Sequence, residues 1–270
     1  MKPTAETPAS DATGTDVKKL VRFVSHPSGV AEIIIDRPER HNAMSMPMYD
    51  ELLTLVGRCS TDPKVRCVLF RGTGGKSFIS GTDISYFEAF TDGRQGLVYE
   101  ATVERVIDAV ERIGVPTIAV IDGWAVGGGL AMATACDFRV CTDATRFGAP
   151  IAKTLSNTLS GRNIARLEAA FGVSRMKQML MLSEFLSADA ALACGYVYQV
   201  CRQDELEGAA HALAERLMAL SAVTQRAVKE SIRRLVVEQS HEDEDLVVEV
   251  YGSEAFRQGV ASFTAKGQKK

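Results

Sequence analysis

Twice in this chain a short run of small residues stands between an apolar, strand-like run and a helix-like run. The first is Ser80-Gly81-Thr82-Asp83-Ile84, and 46 residues beyond Gly81 comes Gly127-Gly128-Gly129. A strand that ends in a tight glycine turn and passes directly into a helix is the building step of a layered α/β protein. Such a turn also does chemical work. Glycine lets the backbone approach a ligand with no Cβ in the way, and an N–H at the start of a helix carries the positive end of its dipole. Two turns of this kind can aim two N–H groups at one oxygen. Donors held that way stabilise a developing oxyanion, and removing one typically costs about 3 to 4 kcal/mol of transition-state stabilisation.

The surrounding pattern extends the α/β reading. From Val21 the chain reads as a strand, a His26-Pro27-Ser28-Gly29 turn and a second strand through Ala31-Glu32-Ile33-Ile34-Ile35, a hairpin that Arg37-Pro38 breaks. Ser45 is placed to cap a helix carrying Tyr49, Leu52, Leu53 and Val56 at helical spacing. A buried-type strand follows over Val65 to Phe70, then a helix from about Gln95 to Ile113, a strand over Thr117 to Ile121, an Ala-rich helix over Leu130 to Ala135 and a strand over Asp137 to Val140. Beyond about Asn157 the pattern turns helical, over 162–171, 174–183, 187–193, 204–219 and 221–236, with a last helix near 252–264. The expected organisation is a disordered N-terminal tail over 1–16, a core over 17–205 and a helical region over 206–270.

Composition removes whole classes of function. A net charge of −3 provides no basic field, so neither nucleic acid nor an anionic membrane surface is an expected partner, and no apolar run reaches membrane-spanning length. Cys59, Cys67, Cys136, Cys141, Cys194 and Cys201 are scattered without a CxxC pair, and the four histidines are dispersed. Buried reduced thiols, no metal site and a cytoplasmic setting are therefore expected.

Several stretches in order resemble the crotonase superfamily, the enoyl-CoA hydratase/isomerase enzymes. They are Asp36-Arg37-Pro38-Glu39-Arg40-His41-Asn42-Ala43-Met44, Lys76 through Ile84, Pro116 through Gly129, Cys136-Asp137, Phe147-Gly148-Ala149-Pro150 and Gly252 through Val260. The resemblance spans roughly residues 20 to 264. It implies the crotonase (ClpP-like) α/β fold, a spiral of ββα units whose helical C-terminal region builds homotrimers, often paired into hexamers. It implies an acyl-CoA substrate, with coenzyme A entering as part of that substrate and no separate cofactor.

By the same resemblance the oxyanion-hole amides fall on Thr82 and Gly128, and CoA contacts on Arg40, His41, Lys76, Ser80, Gly81 and Ile84. Hydratases of this family carry two glutamates whose positions here are Ala131 and Ile151, neither of which transfers a proton. Substitutes are sought in the helix after the first turn, which offers Tyr86, Glu88, Asp92 and Glu100. The loop after Pro150 offers Lys153, Thr154, Ser156, Asn157 and Ser160. Of these, Asn157, Ser156 and Glu88 are the polar candidates carried forward. Asp83 reads first as a helix cap. The function implied is thioester-enolate stabilisation, with enoyl-CoA hydratase as the leading label. The alternatives are isomerase, C–C or thioester hydrolase chemistry, or an acyl-CoA-binding scaffold without proton transfer.

Overall fold

The structure, a computed structural model, describes residues 19–267; the tail read over 1–16 lies outside the described residues. Strands β1 (Val21–Ser25) and β2 (Val30–Ile35) form the expected hairpin, pairing Val21 with Ile35 and Ser25 with Ala31. Helix α1 (Met46–Thr61) follows. Ser45 occupies its N-cap position, but its side chain makes no capping bond there, and Pro47 sits in the first turn instead.

Three ββα units come next. The first is β3 (Cys67–Gly72), β4 (Ser77–Ile79) and α2 (Gly93–Glu111). The second is β5 (Thr117–Ile121), β6 (Trp124–Val126) and α3 (Gly128–Ala135), and the third is β7 (Phe138–Thr142), β8 (Arg146–Gly148) and α4 (Gly161–Met181). The chain continues through β9 (Leu186–Ser187), α5 (Ala188–Ala193), β10 (Gln199–Cys201) and the helices α6 (Leu206–Met218), α7 (Ala222–Arg233), α8 (Glu244–Gly252) and α9 (Glu254–Gly267).

The long strands make one six-stranded sheet, β1-β2-β3-β5-β7-β10, and the short ones a second sheet, β4-β6-β8-β9. Successive units therefore lay their strands in the same order in both sheets. Outside the hairpin the large sheet is parallel and buried on both faces, which is why its strands read as unbroken apolar runs. The period of two still sorts them. Val68, Phe70, Ala119 and Ile121 face a core shared with α1, α2 and α3, while Cys67, Leu69, Ile118 and Val120 face Leu206, Ala210, Leu213 and Leu217 of α6. Glu32, a charge in the midst of β2, is 4% exposed and is held by His26 at 2.7 Å and Arg71 at 3.3 Å.

The helices expected over 162–171 and 174–183 are the two halves of α4, which breaks at Gly172, whose φ of 72° and ψ of 157° no helix interior adopts. The last helix, expected near 252–264, is α9, exposed over 254–265, and α8 is a further helix ahead of it.

Candidate active site

The repeat of the ββα unit explains how residues far apart in sequence meet. Strands β4 and β6 occupy equivalent places in successive units and pair in parallel, Ser77 against Trp124 and Ile79 against Ala125. Their C-terminal ends therefore emerge side by side, and each is followed by one of the small-residue turns. A Cβ built on Gly128 would lie 3.8 Å from Cα of Gly81, so the two turns are in contact.

Each turn leaves amides without an intramolecular acceptor among the described residues, Thr82 in the first and Gly128 in the second among them. Met44 donates to the Gly81 carbonyl at 2.8 Å, and Asp83 donates to the Met44 carbonyl at 2.9 Å. In this parallel bridge the bonds run through the neighbours of Thr82, so the N–H of Thr82 itself points to the other side. Gly128 is the first residue of α3, one of the positions whose N–H finds no partner inside a helix. Among the described residues neither amide has an acceptor. Gly127, at φ 55° and ψ −117°, adopts a backbone that a Cβ forbids, and this aims α3 at the first turn. Gly129 is required for a different reason, since a Cβ there would collide with the carbonyl of Ile79.

Asn42 ties the loop after Arg37 to the start of β4, just ahead of the first turn. It is fully buried, accepts from the Arg37 amide at 3.0 Å, and donates to the carbonyls of Thr73 at 2.9 Å and Ser77 at 2.7 Å. Arg37 in turn pairs with Asp83 at 2.8 Å and donates to the Ala43 carbonyl at 3.0 Å. Asp83 accepts from the Ser85 amide and hydroxyl; the hydroxyl bond, then Arg37, then the amide bond hold its carboxyl below the usual range. It is the cap it reads as. The same latch brings the 38–41 and 73–76 loops together, with Arg40, His41 and Lys76 all exposed along them. Neither Arg40 nor Lys76 has a carboxylate partner among the described residues. Ser80 is half-buried, Gly81 buried, and Ile84 58% exposed beside them.

Side chains around the amides are hydroxyl-rich. Thr82 Oγ1 lies 2.9 Å from the Tyr49 hydroxyl and 2.8 Å from that of Tyr99, linking α1, the first turn and α2. Burial is the leading cause that raises both phenols, Tyr99 to about 12, so both are neutral at pH 7. Tyr99 also packs edge-on against Phe87 at 4.8 Å.

Ala131 and Ile151, the positions where the resemblance expects the hydratase glutamates, are apolar in their surroundings as well as in type. Ala131 is 4% exposed within α3, and Ile151 is half-buried against the core. Of the polar candidates, Glu88 is exposed in the 3₁₀ turn Ile84–Ala89, and Ser156 and Asn157 are exposed in the loop after Pro150. Glu100 differs from all three. It is half-buried, accepts from the Ser160 amide at 2.8 Å, and burial together with the nearby Glu104 raises its pKa. Glu104 accepts from the Ser160 hydroxyl at 3.0 Å and from the buried Arg166, so Glu100 belongs to a network that fixes the start of α4. The structure therefore sets Glu100 apart from Glu88 by its burial and its bond to the Ser160 amide.

Fold and turns together define a spiral of ββα units with two glycine turns in contact at adjacent strand ends. The enoyl-CoA hydratase/isomerase family model matches residues 25–270, and this chain belongs to that family. It is 31% identical over 207 residues, 76% of this chain and 78% of the relative, to a short-chain-enoyl-CoA hydratase of Clostridium acetobutylicum. It is also 31% identical over 263 residues to a trans-2-decenoyl-[acyl-carrier-protein] isomerase of Streptococcus mutans, covering 94% of this chain and 98% of the relative. The crystal structure of an enoyl-CoA hydratase/carnithine racemase from Magnetospirillum magneticum superposes with a TM-score of 0.82 at 29% identity, over 92% of this chain and 93% of that one. The crotonase fold expected from the sequence is the fold observed.

Proposed function

We propose that this protein binds an acyl-CoA with its thioester carbonyl oxygen between the amides of Thr82 and Gly128 and stabilises the enolate formed there. The observation that carries the reading is the contact between two turns whose amides have no acceptor among the described residues. As charge moves from the α-carbon onto the carbonyl oxygen, both N–H bonds strengthen and the start of α3 adds its dipole. Arg40 and Lys76, on neighbouring loops and without a carboxylate partner among the described residues, supply positive charge for the phosphates of coenzyme A, with His41, Ser80, Gly81 and Ile84 along its path. Coenzyme A arrives with the substrate, and no separate cofactor enters this reading.

The hydratase and isomerase relatives support α,β chemistry on an enoyl thioester, and enoyl-CoA hydratase is the leading label. Apolar Ala131 and Ile151 favour a second reading, in which the pocket binds and polarises the thioester without adding water. Titration calorimetry with acetoacetyl-CoA, run beside turnover of crotonyl-CoA, separates them. Binding with hydration supports the label; binding without it supports the second reading; absence of binding contradicts both.

A homotrimer or hexamer is part of the proposal. Phe256, Val260 and Phe263 of α9 are 39%, 47% and 82% exposed, and a groove of about 750 Å³ beside α7 is lined by Leu220, Val228 and Ile232. Apolar surface of this extent is what a partner subunit covers. All six cysteines are free thiols, which fits a reducing, cytoplasmic setting.

A further inference from the structure

One buried oxygen lies against both residues that supply the proposed oxyanion amides. The Tyr49 hydroxyl is 2.9 Å from Thr82 Oγ1, and a Cβ built on Gly128 would come within 3.1 Å of it. The hydroxyl therefore fills the space between the Thr82 side chain and the α-carbon of Gly128. Either hydroxyl can donate in the bond between Tyr49 and Thr82, and the spacing is the same in both cases. Tyr49 has little room to retreat. It is 2% exposed, its ring belongs to the main core, and it stands in the first turn of α1. That helix start is itself fastened to the first glycine turn, since Met44, just ahead of it, forms the parallel bridge with Thr82.

Strand pairing brings the two turns side by side, but its last register is Ile79 with Ala125, short of both amides. Beyond that point the turns meet through glycines, which have no side chain to set a distance: a Cβ built on Gly81 would lie 3.7 Å from the Gly128 nitrogen. Two donors that share one oxygen need their separation held, because a misplacement of about 1 Å can cost about a hundredfold in rate. Resting on the acyl-CoA reading above, we propose that Tyr49 is a positioning residue whose hydroxyl sets the separation of the Thr82 and Gly128 amides. It acts through these two residues and not on the substrate. The same contact gives Gly128 a reason to be glycine, since a methyl there would press on the phenol, and the phenol would displace Thr82.

The test is a double-mutant cycle of Tyr49→Phe and Gly128→Ala in the full-length protein. It is read as the ratio of enolate to keto form of acetoacetyl-CoA bound at saturation, taken from the ultraviolet band of the enolate. Both single variants keep both amides. Each is expected to lower the ratio without abolishing the band, Tyr49→Phe by opening the gap and Gly128→Ala by forcing the phenol aside. Together they should do less harm than the product of their separate effects, by a factor of at least about three, because the methyl takes the room the hydroxyl vacates. Tyr99→Phe is the control: Tyr99 meets Thr82 at 2.8 Å but is not among the atoms nearest Gly128, so its effect should simply multiply with that of Gly128→Ala. If Tyr49→Phe does not fold, Thr82→Val, which removes the same bond and keeps the amide, takes its place in the cycle with the same expectation. Effects of Tyr49→Phe and Gly128→Ala that simply multiply overturn the proposal while leaving the acyl-CoA reading in place. A Tyr49→Phe variant that melts at a lower temperature with its enolate ratio unchanged marks a purely structural role and also overturns it. If the unaltered protein binds acetoacetyl-CoA in its keto form alone, the enolate reading fails and this proposal fails with it.

Discussion

Replacing Gly128 by proline removes one of the two proposed oxyanion donors and little else. Gly128 is the first residue of α3, a position where proline is well tolerated because the missing N–H makes no helical bond. The ring does bring a Cβ, which would lie 3.1 Å from the Tyr49 hydroxyl oxygen, a tight contact that a slight shift of the phenol relieves. Gly128→Ala brings the same Cβ and keeps the N–H. The difference between the two variants therefore isolates the donor. Loss of one such donor costs about 3 to 4 kcal/mol, or about 10² to 10³ in kcat. The assay is kcat on an enoyl-CoA that the unaltered protein turns over, with circular dichroism to verify folding. We expect Gly128→Ala to fall by less than about tenfold and Gly128→Pro by at least a further hundredfold. A folded proline variant that matches the alanine variant would refute the assignment of this amide.

Three further outcomes follow from the geometry. Asn42→Ala removes three hydrogen bonds to backbone groups, one of them fully buried, and at about 1 kcal/mol each the loss of stability is about 3 kcal/mol, read as the shift in urea midpoint; a loss below about 1 kcal/mol would show that the latch is dispensable. Because the folded-state pKa of Glu100 is raised, its ionisation opposes folding: its contribution to stability falls as pH rises from the ordinary carboxylate range through the folded value. Glu100→Gln should flatten that decline in a series of melting curves, and an unchanged pH profile would contradict the assigned burial. Phe256→Asp combined with Phe263→Asp should lower the mass measured by light scattering to that of a monomer. A mass equal to that of the unaltered protein would remove α9 from the interface.

Much of the architecture was legible because burial writes itself into composition. Strand Thr117–Ile121 was read to the residue, since a strand covered on both faces is apolar throughout and Gly114-Val115-Pro116 marks its start. The second sheet was not legible. Its strands are two or three residues long, too short for any period to show, although two of them carry the turns that matter most. Nor was α8 legible, nine residues long and parted from α9 by Ser253 alone.

The site divides the same way. Glycine turns announce backbone donors, because few other roles need three consecutive glycines after a strand. Asn42 looked like any polar residue in a loop, and its three bonds reach residues 5, 31 and 35 positions away. Tyr49 and Tyr99 were equally silent. Tyr49 sits at an apolar position of an amphipathic helix, and only the packing of α1 and α2 around the first turn brings both phenols to Thr82. Glu100 was one acid among three in its segment until its burial set it apart from Glu88.

The central claim is that the Thr82 and Gly128 amides stabilise a thioester enolate. The most direct test is the ultraviolet difference spectrum of acetoacetyl-CoA on binding, because its enolate absorbs where its keto form does not. The account predicts an enolate band with the unaltered protein and with Gly128→Ala, and its loss with Gly128→Pro. Bound acetoacetyl-CoA whose spectrum is that of the free keto form would contradict it.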